Sequence, residues 1–109
     1  MAVLSYQTKL WLVNGKGESV FGEGIAELVE NVEKYHSIME SAKQLGMSYR
    51  YALHRITLAE KRLGEQLITR IRGGANGGGF SEVTPYGKNL VRQYRKVQME
   101  LGEFLEKMQ

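Results

Sequence analysis

The stretch that decides the fold runs from Ser37 to Arg62 and reads SIMESAKQLGMSYRYALHRITLAEKR. Its first part carries apolar residues at Ile38, Met39, Ala42 and Leu45, spaced to fall on one helical face around the small Ala42. Gly46 then stands where a helix C-terminus needs a residue free to take positive φ. Ser48 follows as an N-cap, its hydroxyl able to accept from a free amide of the next turn. Two helices joined by one tight turn form a helix-turn-helix, whose second helix has the dimensions to enter a DNA major groove.

That second helix must bury one face and present another. Ala52, Ile56, Ala59 and Leu63 form a narrow inward stripe, and the opposite side displays Arg50, His54 and Lys61. Near its N-terminal end, Ser48, Tyr49, Arg50 and His54 are in position for base edges or flanking phosphates, and a guanidinium such as that of Arg50 can pair with guanine. Ser37 and Lys43 complete the expected contacts from the first helix. Tyr49 is equally suited to a core position.

Toward the N-terminus, Leu4 to Val13 is rich in β-branched and aromatic residues and is followed by the turn Asn14-Gly15-Lys16-Gly17, which predicts a strand paired with Ser19 to Phe21. Gly22 and Gly24 end that hairpin. From Ile25 to Tyr35, the residues Ile25, Leu28, Val29, Val32 and Tyr35 share a face opposite Glu23, Glu27, Glu30 and Glu33. This is an acidic helix expected to pack across the helix-turn-helix and hold its charge away from nucleic acid.

Toward the C-terminus, Gln66 to Arg72 is strand-like, Gly73 to Gly79 reads GGANGGG, and Phe80 to Thr84 returns as a second strand. The pattern is a wing: glycines permit close backbone approach to phosphates, and Asn76 and Gly77 tolerate left-handed geometry. Arg70 and Arg72 flank the tip with fixed positive charge. The run lacks the Gly-Lys-Ser/Thr ending of a nucleotide-binding loop and precedes a strand, not a helix.

Thr84 and Pro85 then start a long helix. Leu90, Tyr94, Val97, Leu101, Phe104 and Met108 recur at intervals of four and three, the period of a coiled-coil seam extending about 27 Å. The expected role is a dimer interface that turns two recognition helices toward successive major grooves. The sequence thus divides into a winged helix-turn-helix over 1–84 and a dimerisation helix of the same domain over 85–109. The predicted class is α+β and mainly helical.

Composition narrows the function. With 109 residues and 42 % apolar content, one modest core is the expected limit. There is no cysteine, which removes disulfides, thiolate catalysis and cysteine-ligated zinc. All 12 acidic residues are Glu, and His36 and His54 have no Cys or Asp with which to build a metal site or a triad, so neither enzyme activity nor a cofactor is expected. Lacking a membrane-span pattern or a signal peptide, the chain reads as cytoplasmic and free of membrane. The net charge is +3, but unevenly spread: Met1 to His36 has three Lys/Arg against five Glu, and Ser48 to Phe80 has six against two. Positive charge gathers on the second helix and wing, the electrostatic footprint for a polyanion.

Four signatures in order, WLVNGKGESVFGEG, SIMESAKQLGMSYRYA, LITRIRGGANGGG and VTPYGKNL, resemble the N-terminal DNA-binding domain of ModE-type molybdate-responsive transcription regulators, relatives of the LysR-type winged helices. The similarity runs from about Lys9 to Tyr94. It implies a dimeric operator-binding winged helix, with Ser48 to His54 in the major groove and the wing on the backbone or minor groove. The family often has Gly-Ser-Ile where this chain has His36-Ser37-Ile38, and Trp where it has Leu53, so a different sequence preference is expected. Molybdate is held by downstream domains in that family, and with this chain ending at Gln109 no molybdate is expected from it alone. Besides sequence-specific regulation, a protein-interaction module and a non-specific architectural DNA-binding protein remain open.

Overall fold

The computed structural model describes residues 2–71 and 80–108. Its elements are β1 (Leu12–Val13), β2 (Ser19–Phe21), α1 (Glu23–Tyr35), α2 (Ile38–Gln44), α3 (Tyr49–Leu63), β3 (Ile68–Ile71), β4 (Phe80–Val83) and α4 (Pro85–Lys107). The strands form two antiparallel hairpins, β1–β2 and β3–β4, and helices dominate, so the fold is a mainly helical α+β winged helix-turn-helix.

The first strand is shorter than its composition predicts. Of Leu4 to Val13 only Leu12 and Val13 pair, with Phe21 and Ser19 across an irregular register. A strand extends only as far as its partner, and here the partner ends where Gly22 caps α1. The turn is built by Asn14, whose Oδ1 accepts from the amides of Lys16 and Glu18, both at 3.0 Å. Its side-chain N–H also donates to Glu18, the main reason that carboxyl sits below the ordinary carboxylate range. Arg62 donates to the Ser19 carbonyl at 2.9 Å, tying the hairpin to the end of α3.

Helix α1 begins at Glu23, two residues before the expected Ile25, and buries Ile25, Ala26, Leu28, Val29 and Val32. Tyr35 is half-buried rather than core. In α2 the inward face consists of Ile38, Ser41 and Ala42, while Met39 is 63 % exposed, contrary to its expected place. Ser41 occupies the inner position because its hydroxyl donates to the Ser37 carbonyl at 2.6 Å, which satisfies it without solvent.

The wing strands pair in register from Ile68 with Val83 to Ile71 with Phe80. The first starts at Ile68 instead of Gln66 because the amides of Leu67 and Ile68 donate to the Glu60 carboxylate, at 2.8 and 3.2 Å. Those donors are thereby satisfied by α3, which anchors the base of the wing. Thr84 accepts from the Gly87 amide at 3.0 Å and donates to the Gln66 carbonyl at 2.7 Å, so the cap of α4 also clamps the start of the wing.

Gly87 makes that clamp possible. A Cβ there would stand 2.6 Å from the Leu67 carbonyl oxygen and 2.9 Å from Val83 Cγ1. Gly87→Ala gains up to about 1 kcal/mol of helix propensity, but overpacking against a fixed carbonyl costs about 1–3 kcal/mol. The expected result is a net destabilisation of up to about 2 kcal/mol once the full propensity gain is subtracted, read as a lower urea midpoint at unchanged m-value.

The core is one cluster centred on α1, into which β2, α2, α3 and α4 each send side chains. Tyr94 belongs to it. The ring is 2 % exposed, meets Phe21 edge-on at 5.4 Å between centroids, and donates its hydroxyl to the Leu10 carbonyl at 2.8 Å. Burial, reinforced by the nearby Glu23, holds its phenol above the ordinary pKa. Next to it Arg95 bonds Glu30 in a bidentate pair at 3.1 and 2.6 Å and also reaches Glu23, which clasps α4 to α1. The Glu30 hydrogen bonds, more than any other influence, hold the Arg95 guanidinium's pKa above its usual value. Among the described residues no helix is long and apolar enough to cross a membrane.

Candidate nucleic-acid interface

The helix-turn-helix is assembled by local hydrogen bonds at both caps. Ser37 Oγ accepts from the Glu40 amide at 3.0 Å, and Ser48 Oγ accepts from the Tyr51 amide at 3.1 Å. Between them Gly46 takes φ 70°, which only a residue without Cβ adopts freely, and Met47 donates back to the Ala42 carbonyl at 2.8 Å. The turn is closed and α3 leaves it in one direction.

Helix α3 buries Ala52, Ile56 and Ala59, with Leu63 half-buried, as the stripe predicts. Ser48, Tyr49, Arg50, Tyr51 and His54 are all exposed, so the leading end is not covered by the other described residues. Arg50, His54, Thr57 and Lys61 recur at intervals of four, three and four, and all four are exposed, giving a polar and basic face opposite the buried one. The ion pairs among the described residues engage Arg62 and Arg95, leaving Arg50 and Lys61 outside them. Both cations remain available to an external anion.

Two exposed residues escape the sequence reading. Tyr51 is 51 % exposed, with the Arg55 guanidinium 6.0 Å from its ring centroid. It was missed because an aromatic residue on an amphipathic helix is usually assigned to the core; the signal against that was its place immediately before Ala52, off the inward stripe. Thr57 lies on the basic face, although its hydroxyl turns back to the His54 carbonyl at 3.1 Å.

Of the other expected contact residues, Lys43 is exposed on α2, Ser37 is half-buried and occupied as a cap, and Arg70 is exposed on β3. Arg72, Asn76 and Gly77 lie outside the described residues, as does the whole glycine run. The seam of α4 is divided: Val97, Phe104 and Met108 are exposed, Leu90 and Leu101 half-buried, and Tyr94 turned fully into its own core. Tyr94 therefore has no surface to offer a second chain; it faces the hairpin because α4 is packed on the domain up to about Gln98.

No family model matches the chain. It is 33 % identical over 81 residues to the molybdenum transport protein ModE of Azotobacter vinelandii, an alignment covering 74 % of this chain and 30 % of that one. Its fold matches ArgP from Mycobacterium tuberculosis with a TM-score of 0.58 and 22 % identity, over 82 % of this chain and 31 % of that one. The chain is a ModE/LysR-like winged-helix domain. A probable transcriptional regulator from Pseudomonas aeruginosa, PA0477, shares the fold at a TM-score of 0.52 and 17 % identity, over 79 % of this chain and 27 % of its own. This ModE/LysR-like domain thus spans about 30 % of the length of the curated relative it matches. The matched share of the chain accords with the four signatures, which lie between Trp11 and Leu90.

Proposed function

We propose that this winged helix is the DNA-binding part of a transcription regulator, acting as a homodimer with α3 in the major groove and the wing on the backbone or minor groove. The observation that carries the reading is the free leading end of α3, where Arg50 and His54 stand exposed ahead of Lys61 on the face opposite Ala52, Ile56 and Ala59. Arg70 and Arg72 supply phosphate contacts, together with Asn76 and Gly77. A cytoplasmic location goes with this role. The domain division, a winged helix over 1–84 and a dimerisation helix over 85–109, is part of the same proposal.

Charge along α4 supports self-association. Lys88, Arg92 and Lys96 lie in its first half and Glu100, Glu103 and Glu106 in its second, all exposed. Two such helices laid antiparallel bring opposite charges together, whereas a parallel pair aligns like with like. Centred near Met99, an antiparallel pair sets Val97 against Leu101 and Leu90 against Met108.

Retention on random duplex tests the reading, because binding through phosphate contacts releases condensed counterions, and rising salt steeply reduces the entropy gained by that release. Strong binding at low salt with a linear fall of log affinity against log salt is expected; failure to retain any duplex at low salt would turn the assignment toward a protein-interaction module. The same salt slope without preference among sequences would mark an architectural coater. Within the proposed geometry Arg50→Ala loses roughly 1–3 kcal/mol and relaxes preference at one base pair, whereas Arg72→Ala weakens all sequences alike. Affinities of both variants across a set of single-base operator variants check this, and identical profiles would refute the division between readout and positioning.

A further inference from the structure

His36 sits where three elements meet. It ends α1 as a C-cap in the left-handed region, φ 55° and ψ 29°, with its amide donating to the Val32 carbonyl at 2.8 Å. Ser37, the next residue, caps α2 and so opens the helix-turn-helix. The His36 carbonyl accepts from the Ser81 amide of β4 at 2.9 Å, and its imidazole stacks on Phe80 with the rings 4.9 Å apart and 14° from parallel.

The backbone geometry makes the choice of residue informative. Among the described residues the other positive-φ positions, Gly17, Gly46 and Gly64, are all glycine, and His36 alone carries a side chain there. A left-handed C-cap favours glycine because any Cβ is crowded by the following carbonyl. The His36 side chain makes a contact that a glycine could not, with the first residue of the returning wing strand. Phe80 is itself 41 % exposed, so the pair is a surface stack outside the core.

We infer that His36 is a positioning residue that fixes the wing against the helix-turn-helix through the Phe80 stack and the Ser81 hydrogen bond. His36 thereby ties the end of α1, next to the Ser37 cap of α2, to the returning strand β4, a fastening separate from the one that Glu60 of α3 makes at the base of the wing. The functional consequence rests on the DNA-binding reading; the positioning itself does not.

The test uses His36→Gly and His36→Asn in the full chain, both compatible with left-handed backbone and both without the aromatic face. Amide exchange without DNA is the first readout. Protection at Ser81 and Glu82 is expected to fall by about two- to tenfold, the factor that an aromatic contact represents, while protection across α1 and α3 is kept. Phe80→Ala should give the same loss, and combining it with His36→Asn should add nothing. On duplex, both His36 variants should show a salt slope shallower by about one to two phosphate contacts, as the wing arginines disengage, with the base preference governed by Arg50 unchanged. Unaltered Ser81 protection in both variants, or full additivity with Phe80→Ala, overturns the inference. Lost protection in a protein that retains no duplex would uphold the positioning and overturn only the DNA-binding reading.

Discussion

Tyr94→Ala is expected to destabilise the winged helix by about 3–5 kcal/mol, the range for truncating a large buried ring. Three losses combine: the ring at 2 % exposure, its edge contact with Phe21, and the hydroxyl that satisfies the Leu10 carbonyl. Since the whole stability of a small domain is about 5–15 kcal/mol, the variant stands near or beyond the edge of folding. Tyr94→Phe separates the contributions. It keeps the ring and leaves only the Leu10 carbonyl without its donor, so a loss of about 1–2 kcal/mol is expected. Urea denaturation followed by far-UV circular dichroism measures both, and a Tyr94→Ala variant as stable as the parent would show that the ring is not part of the core.

Leu101→Glu is expected to do the opposite: abolish the dimer and leave the fold intact. Leu101 is half-buried on the part of α4 that runs past the domain, between the exposed Val97 and Phe104. A carboxylate there is set into the seam of the proposed pair, where it meets apolar neighbours and no cation of its own. In an antiparallel pair it appears twice across the axis, so both the desolvation cost and the mutual repulsion act against assembly. Sedimentation velocity should show a monomer, with the thermal transition of the helix-turn-helix preserved. Operator affinity should drop to that of a single half-site, since two linked contacts exceed either alone by orders of magnitude. An unchanged sedimentation coefficient would refute this interface.

The contrast between these two residues shows how far the sequence can be read. Tyr94 and Leu101 occupy the same 3.5-residue series, and spacing alone cannot tell which part of a long helix lies on its own domain. What separates them is tertiary: Leu10, Phe21 and Glu23 converge on α4 around Tyr94, and among the described residues Tyr94 is buried while Leu101 is only half-buried. The helix-turn-helix was legible because its determinants are local. Gly46, Ser48 and the Ala52-Ile56-Ala59 stripe each act within a turn or two of chain, and each is where the pattern put it, whereas Ser37, expected as a contact residue, is the cap of α2.

The N-terminal strand was overestimated for the converse reason. Val3, Leu4 and Tyr6 have strand-like composition, but pairing is decided by a partner, and β2 ends at Phe21. Ser41 takes the inward position expected of Met39 because a serine hydroxyl that bonds a carbonyl one turn back can be buried at little cost. The long-range fasteners, Glu60 on the wing amides, Arg95 on α1 and His36 on β4, leave no periodic trace. Each is a single polar residue whose partner is close only after folding. The same holds for the basic face: Arg50, His54 and Lys61 could be placed opposite the buried stripe from spacing, whereas the exposure of Tyr51 could not.

Selection of bound duplexes from a random pool by the intact chain tests the central claim most directly. A basic helix and wing presented twice by a self-associating α4 predicts enrichment of an inverted repeat whose half-site centres lie one helical turn apart, about 10 base pairs, or a multiple of it. A pool that shows no enrichment after successive rounds at low salt, or single unpaired sites recovered by a monomer, would contradict it.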